Sequence, residues 1–321
     1  MRTKKRIIFT IIFLAVFIPG NILNSNYSYS YFKRALDLSA KWAEKSTNAA
    51  AIHKRLLNIM YVSPSLFENN HILAYYGHPK SKIMGIVGRH SIPDLAVMLM
   101  KEADNYDSEN SEKGIVPAFY LIYGTCQPAG EINIMDKKLV DSYIQYALSK
   151  GFLVYLDHQI GKYTIEQALD HILPFLKYPN VHLAIDPEWR TTRPMREVGY
   201  VTGKELNAAQ QKIKDYMAAN NIPGKRQLVV HQFQTKMIRD IHEVKAAYDP
   251  VILVQATSGW GSPQAKISTH SRNAKAVNIP YKGFKLWYYF SSKSGVHYDN
   301  PLMTPVQVLR LNPEPGLIIY Q

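Results

Sequence analysis

Short apolar runs alternate with longer amphipathic segments from residue 72 to residue 321. The runs are rich in aliphatic and aromatic residues, which is typical of buried strands, and the segments between most of them repeat apolar residues at helical spacing. The predicted strands are Ile72–Gly77, Val116–Tyr123, Phe152–Asp157, Val181–Asp186, Gln227–Phe233, Val251–Gln255, Gly283–Phe290 and Gly316–Gln321. The predicted helices are Ile92–Asn105, Asp136–Ser149, Thr164–Lys177, Gly203–Asn221, Thr235–Ala247 and a short turn at Thr304–Arg310.

The alternation of strands and helices predicts parallel strand pairing and an α/β fold. Eight such units over about 250 residues are expected of a (β/α)8 TIM barrel, and an open doubly wound sheet is the alternative. No Gly-rich nucleotide-binding motif follows the first strand, and polar or aromatic residues stand at the carboxyl end of nearly every strand. Both observations favour the barrel, which we place at residues 71–321.

Residues 1–20 have the layout of a secretory signal peptide. Arg2–Arg6 form a basic region, and Ile7–Ile18 form an apolar run with one threonine in it. No clean small-x-small cleavage site follows, so an uncleaved membrane anchor at residues 7–18 is the alternative. Both interpretations predict a secreted or extracytoplasmic protein, and the anchor adds membrane association. Residues 21–70 are predicted to form a linker and N-terminal helices, which extend the barrel.

The fourth predicted strand ends in two carboxylates, within the stretch Val181–Trp189. Alternate side chains of a strand share a face. Asp186 and Glu188 therefore share the face that looks into the barrel and up to its mouth, while the aliphatic row of Val181, Leu183 and Ile185 faces the helices. At about 3.3 Å per residue, the two acids lie roughly 7 Å apart along the strand. Pro187 lacks an N–H, so we expect strand pairing to stop there.

The two acids suit proton transfer, because two neighbouring carboxyl groups cannot both ionise freely and the pKa of one is raised. A glutamic acid with a raised pKa can protonate a leaving oxygen at neutral pH. We predict Glu188 as the general acid, with Asp186 and Asp157 as electrostatic partners in catalysis. The structural alternatives are backbone hydrogen bonds for Asp186 and an ion pair of Glu188 with Arg190, Arg193 or Arg196.

Other strand ends carry amides and aromatic rings, which suit a carbohydrate because rings stack on sugar faces and amides bond hydroxyl groups. Aromatic residues also pack the cores of large folds, and a histidine on a strand is often a satisfied core residue. We predict a polysaccharide or small sugar as the ligand. The predicted substrate-binding residues are Tyr76, Gln159, Trp189, His231, Gln232, Trp260, Tyr289 and Gln321.

The net charge is +13, and the four basic residues of Arg2–Arg6 supply part of it. No dense Lys/Arg tract or nucleic-acid motif is present, so we expect no nucleic-acid partner and interpret the charge as suited to an anionic envelope. Cys126 is the only cysteine, which excludes an intrachain disulfide. No Cys/His spacing indicates zinc, so no metal or cofactor is predicted. We expect a monomer.

The stretch Ala184–Trp189 resembles the end of the strand-four motif of glycoside hydrolase family 18, the chitinase-like barrels. There an Asp-x-Glu pair closes a longer Asp-rich motif. The resemblance implies that Glu188 is the acid and that Asp186 assists an acetamido group of the substrate. Ala184 stands where that motif has an earlier aspartate, and no Asp-Gly pair precedes it.

The whole chain resembles a group of exported bacterial barrel proteins, many of which carry only a lipoprotein or hypothetical-protein label. The resemblance implies export and a barrel but no established reaction, and this chain has no lipobox cysteine. It is carried by the order Tyr75–Pro79, Leu156–Gln159, Ala184–Trp189, Val230–Phe233, Gly283–Leu286 and Ile319–Gln321.

Two functions follow as hypotheses. The first is an exported glycoside hydrolase-like enzyme that acts on an envelope or extracellular polysaccharide. The second is a non-catalytic barrel that binds carbohydrate or cell wall. The seventh strand carries no carboxylate, and Asp299 is the nearest acid, which favours the second hypothesis. A substrate-assisted route needs no such nucleophile, so both hypotheses stand.

Overall fold

The structure is a computed structural model and describes residues 66–110, 113–291 and 297–321. The predicted signal peptide or anchor, and nearly all of the predicted linker and N-terminal helices, lie outside the described residues. The strands are β1 (Asn70–Gly77), β2 (Gly114–Cys126), β3 (Ile132–Ile134), β4 (Leu153–Gln159), β5 (Val181–Asp186), β6 (Val201–Thr202), β7 (Arg226–Gln232), β8 (Ile238–Arg239), β9 (Val251–Thr257), β10 (Tyr281–Leu286) and β11 (Leu317–Tyr320).

Eight parallel strands close into a barrel, so the predicted (β/α)8 fold is confirmed. Strand β1 pairs in parallel with β2 on one side and with β11 on the other. The wall runs in the order β1, β2, β4, β5, β7, β9, β10, β11 and returns to β1. Strand β3 forms an antiparallel hairpin with the end of β2, and β6 pairs with β8 in a separate ribbon.

The α-helices pack around this wall: α1 (Ile92–Glu109), α2 (Lys137–Lys150), α3 (Ile165–Ile172), α4 (Gly203–Ala219), α5 (Pro263–Ala274) and α6 (Pro305–Leu309). Asp136 caps α2, and Thr164 with Gln167 forms a capping box on α3, as predicted. Among the described residues, no helix is long and apolar enough to cross a bilayer. Short 3-10 turns lie at Leu66–Glu68, Val87–Arg89, Pro128–Gly130, Leu173–Lys177, Pro187–Trp189, Thr235–Met237 and Ile241–Glu243.

Two helix predictions differ from the structure. The helix predicted at Thr235–Ala247 is wrong: two 3-10 turns flank β8, and Asp240 has a left-handed φ of 50°, which interrupts any helix there. The apolar pattern predicts no helix between β9 and β10, where α5 lies. The buried residues of α5 are Lys266, His270 and Asn273, so its inner face carries no apolar repeat.

Alternate residues of each strand fill the barrel. At the amino-terminal end of the barrel the filling is mainly aliphatic, with the buried polar residues His182 and Gln227 beside Tyr155. Phe67 is also buried at this end. Tyr120 and Tyr155 stack at the centre with ring centroids 5.0 Å apart and planes 10° apart. Above them, towards the carboxyl ends of the strands, the inward positions become polar, and this layer holds the candidate site.

Candidate active site

Strand β5 delivers the two predicted acids to the mouth of the barrel. All six residues of the strand are buried, and it ends at Asp186. Pro187 then starts a 3-10 turn that ends at Trp189, so strand pairing stops at the proline, as predicted. Glu188 therefore lies on this turn and not on an extension of the strand. The Oδ1 atom of Asp186 accepts a hydrogen bond from the Glu188 backbone N–H at 3.2 Å, which fixes the turn.

Asp157 lies on the neighbouring strand β4, where it is opposite Ala184 in register. The Tyr76 hydroxyl donates a hydrogen bond to Asp157 Oδ2 at 2.8 Å, and His231 Nε2 lies 3.7 Å from the same oxygen. Asp157 is completely buried, and its Oδ1 atom has no hydrogen-bond partner among the described residues. Three predicted site residues, Tyr76, Asp157 and His231, thus meet inside the barrel.

His231 is a buried histidine with one ring nitrogen in a hydrogen bond and the other without a partner among the described residues. Its Nε2 atom lies 2.8 Å from the Tyr120 hydroxyl, and its Nδ1 atom is buried without a partner among the described residues. Burial holds the pKa of His231 well below its usual range, and the positive charge of Lys285 lowers it further. The contact with Asp157 is therefore between an imidazole and a carboxyl group and is not an ion pair.

Lys285 is the site residue that the sequence analysis missed. It points inward from β10, and its Nζ atom lies 3.5 Å from the ring centroid of Tyr76 and 4.8 Å from that of Trp287. The signal was present in the alternation of the strand, because Phe284 and Leu286 take the outward face and leave Lys285 on the inward one. A charged residue at an inward barrel position is exceptional and points to function.

The acids of this layer have raised pKa values and hold protons near neutral pH. Burial raises the pKa of Asp157 to about 7, that of Asp186 to about 6 and that of Glu188 to about 8. The charge of Asp186 raises the pKa of both other acids, and Lys285 lowers all three. Burial also lowers the pKa of Lys285 to about 8, against the attraction of the acids. One ammonium group cannot balance three carboxylates, so the cluster keeps protons near neutral pH.

Glu188 is the member of the cluster best placed to give up a proton. It is half-buried, whereas Asp157 and Asp186 are 0% and 4% exposed. Among the described residues, Glu188 forms no ion pair with an arginine. Arg190 instead binds Glu205 at 2.6 Å, and Arg193 binds Glu197. The backbone hydrogen bond expected of Asp186 does form, and the side chain of Trp189 donates a second one that lowers the pKa of Asp186.

Two predicted aromatic residues are exposed beyond the strand ends. Trp260 is 51% exposed and stacks on His297, with centroids 4.4 Å apart and planes 11° apart. Tyr289 is 64% exposed and meets Tyr298 edge to face at 4.9 Å. Both rings offer a face or an edge to solvent, which suits contact with an extended ligand.

Gln232 lies on the other side of the barrel wall from the acids, contrary to its predicted role. Because His231 points inward, Gln232 points towards α5. Its Oε1 atom accepts a hydrogen bond from Gln255 at 2.5 Å, and Lys282 donates to Gln255 at 2.6 Å. Asn273 of α5 donates to the Gln232 carbonyl oxygen at 3.0 Å. This buried network holds the helix against the wall.

The remaining two predicted amides lie at strand ends. Gln159 is opposite Asp186 in register, and its Oε1 atom accepts a hydrogen bond from the Cys126 backbone N–H at 2.6 Å. Gln159 therefore ties the end of β4 to the end of β2. Gln321 follows β11, and its buried Oε1 atom has no hydrogen-bond partner among the described residues. Gln321 remains free to bind a ligand.

A buried ion pair fixes the loops beside Lys285. The Nζ atom of Lys266, on α5, lies 3.0 Å from Asp299 Oδ2 and donates hydrogen bonds to the carbonyl oxygens of Gly259 and Lys285, both at 2.6 Å. Asp299 accepts from the backbone N–H groups of Gly261 and Trp287, both at 3.0 Å. The pair joins the loop after β9 to the end of β10. Asp299, the acid nearest to the seventh barrel strand in sequence, is thus engaged in positioning.

Within the described residues, no group of three or more His, Cys, Asp and Glu side chains has the arrangement of a metal site. The acids of the barrel layer instead share their space with an ammonium group and two tyrosine hydroxyls.

No known family model matches the chain, and no curated protein matches it. Among solved structures, the family 18 chitinase ChiB of Flavobacterium johnsoniae has a TM-score of 0.42 at 9% identity, over 78% of this chain and 87% of its own. A family 18 chitinase of Crocus vernus has a TM-score of 0.37 at 8% identity, over 78% of this chain and 92% of its own. Scores this low carry no weight for function, which we infer from the site alone.

Proposed function

We propose that the protein is an exported glycoside hydrolase that acts on an envelope or extracellular polysaccharide, with Glu188 as its general acid. One observation carries the proposal: a half-buried glutamic acid with a pKa raised to about 8 lies at the mouth of a barrel, next to the carboxyl group that raises it. General acids of glycosidases have this property. Within the described part of the chain, Glu188 has neither an arginine partner nor a place among the helices, the two alternatives that would remove it as an acid.

The proposed reaction begins with the proton of the Glu188 carboxyl group. Glu188 gives this proton to the glycosidic oxygen while the bond between that oxygen and the anomeric carbon breaks, and positive charge develops at the carbon. Asp186, which has the lowest pKa of the three acids, is ionised and stabilises that charge. Water supplies the new C–O bond, and its proton returns to Glu188, so the enzyme ends as it began.

The inward residue of the seventh barrel strand is Lys285 and not a carboxylate. We therefore propose that the anomeric carbon is attacked by a group of the substrate, such as a 2-acetamido oxygen, or by water. A covalent bond to a carboxylate on that strand is not part of the proposal. The ammonium group of Lys285 favours the ionised forms of Asp157 and Asp186 and leaves the proton on Glu188, whose pKa is the highest.

Export and an anionic substrate are supported by the sequence. The basic and apolar segments at residues 2–18 suit a signal peptide or anchor, and a net charge of +13 favours an acidic polymer. The exposed rings of Trp260 and Tyr289 suit a chain that extends beyond the mouth of the barrel.

The second candidate function is binding of such a polysaccharide without cleavage. The burial of Asp157 and Asp186 favours it, because these two acids are only 0% and 4% exposed. The two functions differ in what happens to a bound glycan. A binding protein retains it intact, and a hydrolase releases new reducing ends.

The deciding experiment compares wild type, Glu188→Gln and Glu109→Gln on a panel of envelope and extracellular polysaccharides. Glu109 ends α1 at the opposite end of the barrel and is exposed, so it controls for the loss of one carboxylate. The proposal expects wild type and Glu109→Gln to release reducing ends and Glu188→Gln to lose at least a hundredfold in turnover while it still binds. Equal turnover by all three would remove Glu188 from the mechanism. Retention of a glycan with no cleavage by wild type would establish the second function.

A further inference from the structure

The amine of Lys285 lies in an unusual environment for a lysine. The residue is 3% exposed, and among the described residues its Nζ atom makes no hydrogen bond or ion pair. Two aromatic rings, Tyr76 and Trp287, hold it instead. The Lys285 backbone is fixed by the hydrogen bond from Lys266 to its carbonyl oxygen. The charges of Asp186, Asp157 and Glu188 attract the amine, but among the described residues none of these acids forms an ion pair with it, so its N–H groups are left for a ligand.

Three other residues of the same layer each have a fully buried polar atom without a hydrogen-bond partner among the described residues. The atoms are Asp157 Oδ1, His231 Nδ1 and Gln321 Oε1. Register brings Gln321 next to Tyr76, because Tyr75 pairs with Tyr320, and Tyr76 in turn contacts Asp157 and Lys285. Acceptors and donors that converge in this way suit a small ligand with several hydroxyl groups.

We propose that Lys285 is a nucleophilic amine that forms an imine with an open-chain polyhydroxylated aldehyde or ketone. This covalent site goes beyond glycosidic cleavage and does not depend on it. The partners named above would bind the hydroxyl groups of the ligand, and the amine would meet its carbonyl carbon.

The lone pair of the neutral amine forms the C–N bond, the π electrons of the C=O bond move to oxygen, and one of the two amine protons passes from nitrogen to that oxygen. The resulting carbinolamine loses its hydroxyl group as water with a proton from Glu188, and the second amine proton then returns to Glu188. The sum is an amine and a carbonyl compound that give an imine and water, with no oxidant or reductant. Burial supports the first step, because a pKa of about 8 leaves about a tenth of the amine neutral at pH 7, against fewer than one in a thousand for an ordinary lysine.

The test uses the full chain, glyceraldehyde as the probe and sodium cyanoborohydride, which reduces an imine to a stable secondary amine. Peptide mass mapping then reads the modification of each lysine. Lys204, whose side chain is 80% exposed, serves as the internal reference for ordinary surface reactivity. We expect Lys285 to be labelled at least tenfold faster than Lys204 at pH 7. Lys285→Arg should remove the fast label, and Lys204→Arg should keep it.

The proposal would be overturned if Lys204 of the wild-type protein were labelled and Lys285 were not. This comparison is made within the wild-type protein, so it does not depend on whether a variant folds. Equal rates at the two lysines would overturn it as well, because they would show no special reactivity. Neither result bears on glycan cleavage, which is measured separately as reducing ends released by wild type and by Glu188→Gln.

Discussion

The side chain of Asp186 accepts a hydrogen bond from the backbone N–H of Glu188 at 3.2 Å, so the strand that ends in one acid directly places the other. The Asp-Pro-Glu sequence makes this contact local, because the proline stops strand pairing and starts the turn. The charge of Asp186 then raises the pKa of Glu188. The proposed general acid is thus positioned by three consecutive residues, and Lys285 lowers its pKa from across the barrel.

The rate of hydrolysis should have a bell-shaped dependence on pH. Asp186 must be ionised, and burial places its pKa at about 6; Glu188 must be protonated, and its pKa is about 8. The value of kcat/KM should therefore rise as pH increases through 6 and fall as it increases through 8. These limbs belong to the coupled cluster as a whole. A rate that falls steadily above pH 5 would show that the acid has an ordinary pKa.

Removal of the ammonium group by Lys285→Met should move both limbs to higher pH. Lys285 lowers the pKa of all three acids, so its loss raises them. At pH 7, less Asp186 is then ionised, and we expect kcat/KM to fall about tenfold or more. Lys204→Met, at an exposed position on α4, is the matched control and should leave the profile in place. A rate lowered equally at every pH, with limbs unmoved, would contradict the electrostatic role.

The raised pKa of Glu188 should also appear in the pH dependence of the free energy of unfolding, measured without a substrate. The pKa of Glu188 is raised on folding, from 4.5 to about 8, so its favourable contribution is complete below about pH 4.5 and is lost as pH rises through 8. Glu188→Gln keeps no such proton. Relative to wild type, the variant should gain about 4 kcal/mol in the free energy of unfolding between pH 5 and pH 9. Urea unfolding at several pH values measures this, and a constant difference would count against the raised pKa.

The ion pair of Lys266 and Asp299 should be essential for the loops at the mouth. Asp299→Asn leaves the Lys266 ammonium buried without its counter-charge, at a cost of about 3–5 kcal/mol in the free energy of unfolding. The double variant Lys266→Met with Asp299→Asn, which loses both charges, should lose less free energy of unfolding than the two single variants lose in sum. Chemical unfolding of the three variants gives this coupling energy. Additive single and double changes would show that the two side chains act independently.

The barrel was predictable from the sequence because each strand of its wall is a short apolar run. Each barrel strand is buried on both faces, and such runs stand out without any knowledge of their partners. The positions of Asp157, Asp186 and Glu188 at the carboxyl ends of their strands were also predictable, and their catalytic role stays a prediction. The closeness of Asp157 to Tyr76 and His231 was not predictable, because it depends on side chains that cross the barrel interior.

Three errors share a physical cause. Helix α5 was missed because its buried face is polar, with Lys266 and Asn273 directed at the barrel wall. Gln232 was assigned to the site because its strand end was considered without the inward or outward direction of each residue. Lys285 is missed because the apolar run predicts a strand that continues to Phe290, whereas β10 ends at Leu286 and places Lys285 near its carboxyl end. In each case the residue is a buried polar group whose partners come from the tertiary structure, and the pattern of apolar positions does not predict such a residue.

The most direct measurement is a titration of the glutamic acid carboxyl groups by 13C NMR, in wild type and Glu188→Gln. The account predicts one carboxyl resonance with a midpoint near pH 8, present in wild type and absent from the variant. If every glutamate of the wild-type protein titrates near its ordinary pKa of about 4.3, the buried proton on Glu188 does not exist and the proposed acid is lost.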